Sequence, residues 1–547
     1  MKTVSKPTGL RYWMLRVLDE CNNVSNDFSA DPVHDLRVSL RRCRSMADGM
    51  MAMDPDREWK AMKKAGKRLF QQLGALRDVQ IMMEWIDKLE VARARQDAAA
   101  TSAVPSAGAV REDTPSVSPT AEPEQTEFQD PARALLGILR QRETEHKRSA
   151  RAALEEFDRK QWRQWSKTLP QRVTRIRMGS SVFKHLALER WTIARELHVA
   201  ALRRRSQVAF HTLRIGIKRF RYIVENFLPA EHKAWSDDLK HLQDLLGEVH
   251  DLDVLWATAL SCRIFPDQAS RQRWHERITE ERTKRLDEYR QKTLGPESLR
   301  ALWRRGLPQG KEIGAIAARR MKLWAKALDP DFAHSERVAR LSLEIYDGLV
   351  ALGLYRAAET DSLAERNGSG DARSSLYAAA LLHDVGKVHG NKGHHKESLD
   401  LIHQHGTPLG WKEEDMRRAA VVARFHCGAL PTRRHKLLRD LLPPEQKTTI
   451  QLAAVLRLAN ALDVAHDGHV RRVKIENPAQ PRSNGRRTNF RRKPPALGKN
   501  EAVVIEAEGY LDGTPTAQSV AAERYLLESV LRRPVVVRPM KAVSLGG

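Results

Sequence analysis

A chain of 547 residues is too long for one hydrophobic core and predicts two or three domains; 41% hydrophobic and 30% charged residues are ample for buried cores. Its 94 Lys and Arg against 69 Asp and Glu leave a net charge of +25, which predicts an acidic partner: nucleic acid, an anionic membrane or another polyanion. No run of about 18 apolar residues occurs, and the start MKTVSKPTGLRYWMLRVL has neither an uninterrupted apolar stretch nor a small-residue cleavage site, so a soluble, cytoplasmic protein with no membrane partner is expected.

From residue 10 to about 90 the apolar residues recur at three- and four-residue spacing, as in amphipathic helices. Within this block HDLRVSLRRCR (34–44) places His34, Arg37, Arg41 and Arg44 on an arc of about 80° of a helix. Val33, Leu36, Leu40, Cys43 and Ala47 take the neighbouring arc, which predicts a core-facing side that fixes the cationic stripe beside it. Residues 94–130 then turn rich in Ala, Ser, Pro, Thr and Glu, a composition that predicts a disordered insert. Helical periodicity resumes near 131 and runs to about 305. There HTLRIGIKRFR (211–221) repeats the stripe as His211, Arg214, Lys218 and Arg221, beside Leu213, Ile217, Phe220 and Val224. Each stripe is followed by a second match, LGALRDVQIM (73–82) and LGEVHDLDVL (246–255), so the unit is duplicated. No acid sits inside either stripe. Like charges at that spacing repel, which predicts a surface built to be neutralised by a ligand, and arginine forks suit phosphate oxygens.

A connector from 306 to about 320 leads into a further helical block, 323–470, then a basic linker, 471–500, and a strand-helix-strand tail, 501–547. The block carries His334, the adjacent His383 and Asp384, His394 and His395, His426 and Asp463 on segments otherwise dominated by Ala, Val and Leu. An aspartate beside a histidine in LYAAALLHDVGK is costly to bury unless it meets a cation or a partner. His and Asp are ligands for divalent metals such as Mn, Fe, Mg or Zn in hydrolytic sites. The four cysteines, Cys21, Cys43, Cys262 and Cys427, lack paired spacing and are expected to be ordinary buried thiols.

The two H-x-x-R-x-x-x-[RK]-[RK]-x-R helices with their LG-x-x-x-D segments, over 10–305, resemble the CHAD domains (conserved histidine α-helical domains). That resemblance implies a helical bundle with pseudo-twofold symmetry whose basic groove binds inorganic polyphosphate. It implies His34, Arg37, Arg41, Arg44, His211, Arg214, Lys218 and Arg221 as the phosphate-contacting set, flanked by Arg42 and Arg219. The ordered His and Asp series resembles the HD superfamily of metal-dependent phosphohydrolases. More narrowly, HDVGKVHGNKGHHKES, VARFHCGALP and LRLANALDVAH look like the C-terminal HD portion of the exopolyphosphatase and guanosine-pentaphosphatase family. This implies a divalent metal (Mn, Mg or Fe) on His334, His383, Asp384, His394, His426 and Asp463, with His394 preferred to His395 because Ser398 follows at the superfamily spacing. His383, Asp384 and Lys387 would carry catalysis, with Lys387, His389 or Arg457 steadying phosphoryl oxygens. The actin-like portion that precedes this module in the family has no counterpart here, nor does a glycine-rich phosphate loop.

The expected fold is mainly α: a duplicated helical bundle, an all-helical HD domain and a small α/β tail. The expected function is polyphosphate binding joined to metal-dependent hydrolysis of polyphosphate or a related phosphoester or phosphoanhydride, in the cytoplasm and at polyphosphate granules. Two alternatives stand beside it: a non-enzymatic polyphosphate-binding protein, and a nucleic-acid-binding protein.

Overall fold

The computed structural model of the chain describes residues 9–102, 130–355, 371–476 and 501–540. The fold is mainly α, with one three-stranded sheet near the C-terminus. It divides into two compact units, the first formed chiefly by residues before Gln309 and the second from Gln309 onward. Among the described residues no helix is long and apolar enough to cross a membrane.

The first unit contains α1 (Leu10–Asn26), α2 (Ala30–Met50), α3 (Arg57–Ala65), α4 (Lys67–Ser102), α5 (Pro131–Glu155), α6 (Arg159–Val173), α7 (Ser181–Arg204), α8 (Gln207–Phe227), α9 (Pro229–Ser261), α10 (Gln268–Thr293) and α11 (Leu299–Arg305). The helix α4 continues to Ser102, into the stretch expected to be disordered, and 103–129 lies outside the described residues. The chain re-enters the fold at Asp130, whose carboxylate accepts from the Ala132 amide at 3.1 Å ahead of Pro131, a first-turn proline whose missing N–H costs nothing there.

Duplication is visible in the packing. The pair α1–α2 corresponds to α7–α8 and the pair α4–α5 to α9–α10, while α2 packs on α8 and α4 on α9. The predicted apolar arcs form the core: Val33, Leu36, Leu40, Cys43 and Ala47 are fully buried, and Leu213, Ile217, Phe220 and Val224 nearly so.

The second unit begins with α12 (Glu312–Leu328), so residues 312–322 are helix where a connector is expected. Glycines 306, 310 and 314 obscure its start. Gly310 has φ +55, a break in the left-handed region, whereas Gly314 lies inside the helix, where a Cβ would come within 3.3 Å of the Gly410 carbonyl oxygen. There follow α13 (Phe332–Ala351), α14 (Ala372–Leu382), a 3-10 turn (Val385–His389), α15 (His394–His405), α16 (Glu413–Arg424), α17 (Lys436–Arg439) and α18 (Pro443–Leu462).

The chain ends with β1 (Arg472–Ile475), β2 (Val503–Glu508), α19 (Pro515–Leu531) and β3 (Val535–Pro539). Residues 472–475 are thus a strand, not linker: Val473 and Ile475 are buried, and the alternating Arg472 and Lys474 made the segment read as basic coil. The rest of the predicted linker, 477–500, lies outside the described residues. β1 pairs antiparallel with β2 (Arg472 opposite Glu508), and β2 pairs parallel with β3 (Val503 opposite Val535) across α19. Val473, Ile505, Leu527 and Val535 join one hydrophobic core with Val338, Leu381 and Leu458, so the tail completes the helical unit.

Candidate functional site

In the first unit α2 and α8 bring their stripes into one electrostatic field. Lys218 lies close enough to Arg214 on its own helix and to Arg41 and Arg37 on α2 that burial first, and then these charges, push its ammonium down to about 7. The Arg37 guanidinium is likewise lowered, mainly by burial. Its Nη1 donates to the carbonyl oxygens of Leu73 (3.2 Å) and Gly74 (3.0 Å), which ties the α2 stripe to the first LG segment. Gly247 of the second LG segment likewise adjoins Arg214, whose Nε would lie 4.0 Å from an added Cβ.

Two residues that sequence reasoning missed sit beside the stripes. Arg77 and His250 occupy the same register position in the LG segments. Arg77 lies near His34, which burial and then Arg77 hold below the usual imidazole range. The His250 ring lies against His211, tilted at 47° with ring centroids 4.5 Å apart, and burial pushes His250 down to about 4. Their equivalent position five residues into each LG match was the available signal.

At the far end the stripes are already partnered. Arg44 Nη1 donates to the Lys63 carbonyl oxygen at 2.5 Å, and Arg221 lies 3.8 Å from Glu225, which also pairs with Arg42. Aromatic rings, expected only as Phe220, back the guanidinium groups: Tyr222 under Arg41, Phe70 under Arg37 and Arg44, and Trp13 under Arg42. Arg37 lies 4.0 Å from Asp78, and burial lowers both His34 and His211.

In the second unit α13 supplies His334, the end of α14 supplies His383 and Asp384, α15 opens on His394, and the turn after α16 carries His426. His334, His383, Asp384, His426 and Asp463 are all buried. Asp384 is the centre. Its Oδ1 lies 3.2 Å from His394 Nε2 and 3.6 Å from His426 Nε2; its Oδ2 lies 3.5 Å from His383 Nε2, 3.9 Å from His334 Nε2 and 2.5 Å from Lys387 Nζ. Burial alone would raise this carboxyl, but His383, His394, His426 and Lys387 together hold it well below the ordinary carboxylate range. The contact with Asp384, then Cys427, pushes His394 up to about 10, whereas burial lowers His383 and His426.

His394 reaches this centre, while the His395 ring stands 5.6 Å from the His394 ring and at 87° to it. Asp463 is brought alongside but with both oxygens engaged: Oδ2 accepts from His334 Nδ1 and from Arg337 Nε, each at 2.8 Å, and Oδ1 from the Gly468 amide at 3.0 Å. It orients His334, whose Nε2 also meets Asn460 Oδ1 at 2.9 Å. Two residues suggested for phosphoryl contact are engaged elsewhere. Arg457 bonds Glu523 at 2.6 Å and donates to the carbonyl oxygens of Phe425 and Gly428, each at 3.1 Å, and His389 Nδ1 bonds Glu397 at 2.8 Å.

The donor set fits a divalent metal. His383 Nδ1 donates to the Ala380 carbonyl oxygen at 2.8 Å, which leaves its fully buried Nε2 without a hydrogen-bond partner and aimed at Asp384. One ligand atom from each of His334, His383 and Asp384 lies within 4.8 Å of the others, and the same holds for His394, His426 and Cys427. Gly386 makes the arrangement possible: a Cβ there would fall 2.1 Å from the His394 carbonyl oxygen, and its amide donates to Ser398 Oγ at 2.9 Å.

Two known families match parts of the chain. Residues 15–260 match the family of the CHAD domain, and residues 318–491 match domain III of the Ppx/GppA phosphatases. No curated protein matches the chain. Both family matches point to a polyphosphate-related function. The chain thus couples a CHAD-type domain to an exopolyphosphatase-like C-terminal module.

Proposed function

We propose that the first unit grips inorganic polyphosphate between the α2 and α8 stripes and that the second hydrolyses phosphoanhydride or phosphoester bonds at a divalent-metal centre, with polyphosphate as the first substrate to test. The observation that carries the catalytic part is the convergence of His334, His383, His394 and His426 on the buried carboxylate of Asp384. Imidazole nitrogens spend their lone pairs in this way to hold a cation. His334, His383 and Asp384 would hold one ion and His394, His426 and Asp384 a second, with Asp463 keeping His334 in register. When bound, a divalent cation supplies Lewis acidity toward phosphoryl oxygens and a lowered pKa for water in the site. Lys387, partly exposed beside Asp384, is placed to neutralise charge on a phosphoryl oxygen.

Polyphosphate is favoured over nucleic acid because Tyr222, Phe70 and Trp13 lie under arginines rather than standing free to stack on bases. Such a protein would work in the cytoplasm, at polyphosphate granules. The test is phosphate release from long-chain polyphosphate with Mn or Mg, comparing the wild type with His383→Ala and Asp384→Ala. Release that both substitutions abolish while polymer binding persists supports the reading. Tight binding with no release above the variants leaves a polyphosphate-binding protein.

A further inference from the structure

Cys427 follows His426 directly. Its half-buried Sγ lies 3.9 Å from His394 Nε2, and His394, His426 and Cys427 each bring one ligand atom within 4.8 Å of the others. The hydrogen bonds assign the imidazole tautomers: His394 Nδ1 donates to the Asn391 carbonyl oxygen at 2.8 Å and His426 Nδ1 to that of Ala423 at 2.7 Å. In their neutral forms both Nε2 atoms then carry bare lone pairs, and these stand 3.1 Å apart. Two lone pairs at that distance repel unless a positive centre lies between them, a shared proton in the metal-free protein and a metal cation in the loaded one.

We propose that Cys427, as thiolate, is a ligand of the ion held by His394 and His426, so that this half of the centre presents two nitrogens, one sulfur and the shared Asp384 oxygen. The inference rests on reading the site as a divalent-metal centre and adds a metal preference to it. The half built from His334, His383 and Asp384 offers nitrogen and oxygen only and suits Mn2+, Mg2+ or Fe2+. The half containing Cys427 selects a thiophilic tetrahedral ion, Zn2+ before Mg2+. On loading, the sulfur–metal bond forms as the S–H bond breaks, and the thiol proton leaves to solvent together with the proton shared by the imidazoles. The turn that carries the thiol is held in place by the Arg457 guanidinium, which donates to the carbonyl oxygens on either side of it, at Phe425 and Gly428.

The test is titration of the metal-free, full-length protein with Co2+. The expected result is a near-ultraviolet sulfur-to-cobalt charge-transfer band that is absent from Cys427→Ser and retained by Cys262→Ser. Zn2+ affinity should fall by about tenfold or more in Cys427→Ser. Cobalt bound with visible d–d absorption but no charge-transfer band in the wild type would overturn thiolate ligation and leave the metal centre standing. No cobalt retained at all would overturn both readings. Because the band is first read in the wild type, a poorly folded variant cannot hide the answer.

Discussion

Lys218 carries a conflict between stability and binding. Around it stand Arg214 on its own helix, Arg41 and Arg37 on α2, and Asp251 and His250 on α9; of these only Asp251 favours its charge. With an ammonium pKa depressed to about 7, the cost of keeping Lys218 charged in the folded state is fully present below that pH and fades as pH rises toward the ordinary lysine value. A bound polyanion reverses the balance and favours the ammonium, so binding above neutrality takes up a proton. Affinity for polyphosphate should therefore fall as pH rises through about 7, with proton uptake read by calorimetry in buffers of different ionisation enthalpy. Lys218→Met should remove that uptake, weaken binding and raise the melting temperature, most at acid pH. If the variant binds as tightly as the wild type, Lys218 does not face the polymer. Gly386 carries the opposite risk, since an added Cβ overlaps the His394 carbonyl oxygen. Gly386→Ala should cost about 1–3 kcal/mol and lower metal content, measured by thermal unfolding and elemental analysis.

At the scale of elements, the turn between α16 and α17 depends on α18 and α19, because Arg457 of α18 holds its carbonyl oxygens and is itself held by Glu523 of α19. Arg457→Met should thus reduce metal affinity by about 10–100-fold while leaving the helical circular dichroism unchanged. An unchanged affinity would make Arg457 a purely structural ion-pair residue. That linkage was invisible in the sequence, since it spans 66 residues between Arg457 and Glu523. What the sequence did disclose was local and periodic. The α2 and α8 stripes follow from 3.6-residue spacing, and the linear order of His and Asp identified the groups that meet at Asp384. Residues 312–322 were misread because glycine lowers helix propensity where tertiary contacts supply the stability, and β1 because two of its four residues are basic. Cys427 looked ordinary because its partner His394 lies 33 positions away, and the engagement of both Asp463 oxygens depends on Arg337 and Gly468, which no spacing rule connects.

For the whole molecule, the proposed function makes the consequence of joining the two units kinetic. On that proposal a polymer held by the first unit would be presented to the second at an effective concentration set by the connection rather than by bulk solution, and such tethering raises apparent affinity by about 10²–10⁴-fold when geometry allows both sites to engage. The benefit requires a substrate long enough to occupy both, so it should vanish for tripolyphosphate. Arg41→Ala with Arg214→Ala, placed in the full chain, should raise KM for long-chain polyphosphate by about tenfold or more. It should leave kcat and the hydrolysis of tripolyphosphate unchanged. The salt dependence of polymer binding should flatten, its slope falling by roughly one for each phosphate-contacting arginine removed. Steady-state kinetics on the two substrates separates the explanations. An equal loss on both would mean that the substitutions damage the second unit, and no loss on either would mean that the groove holds polymer for a purpose other than feeding the metal centre.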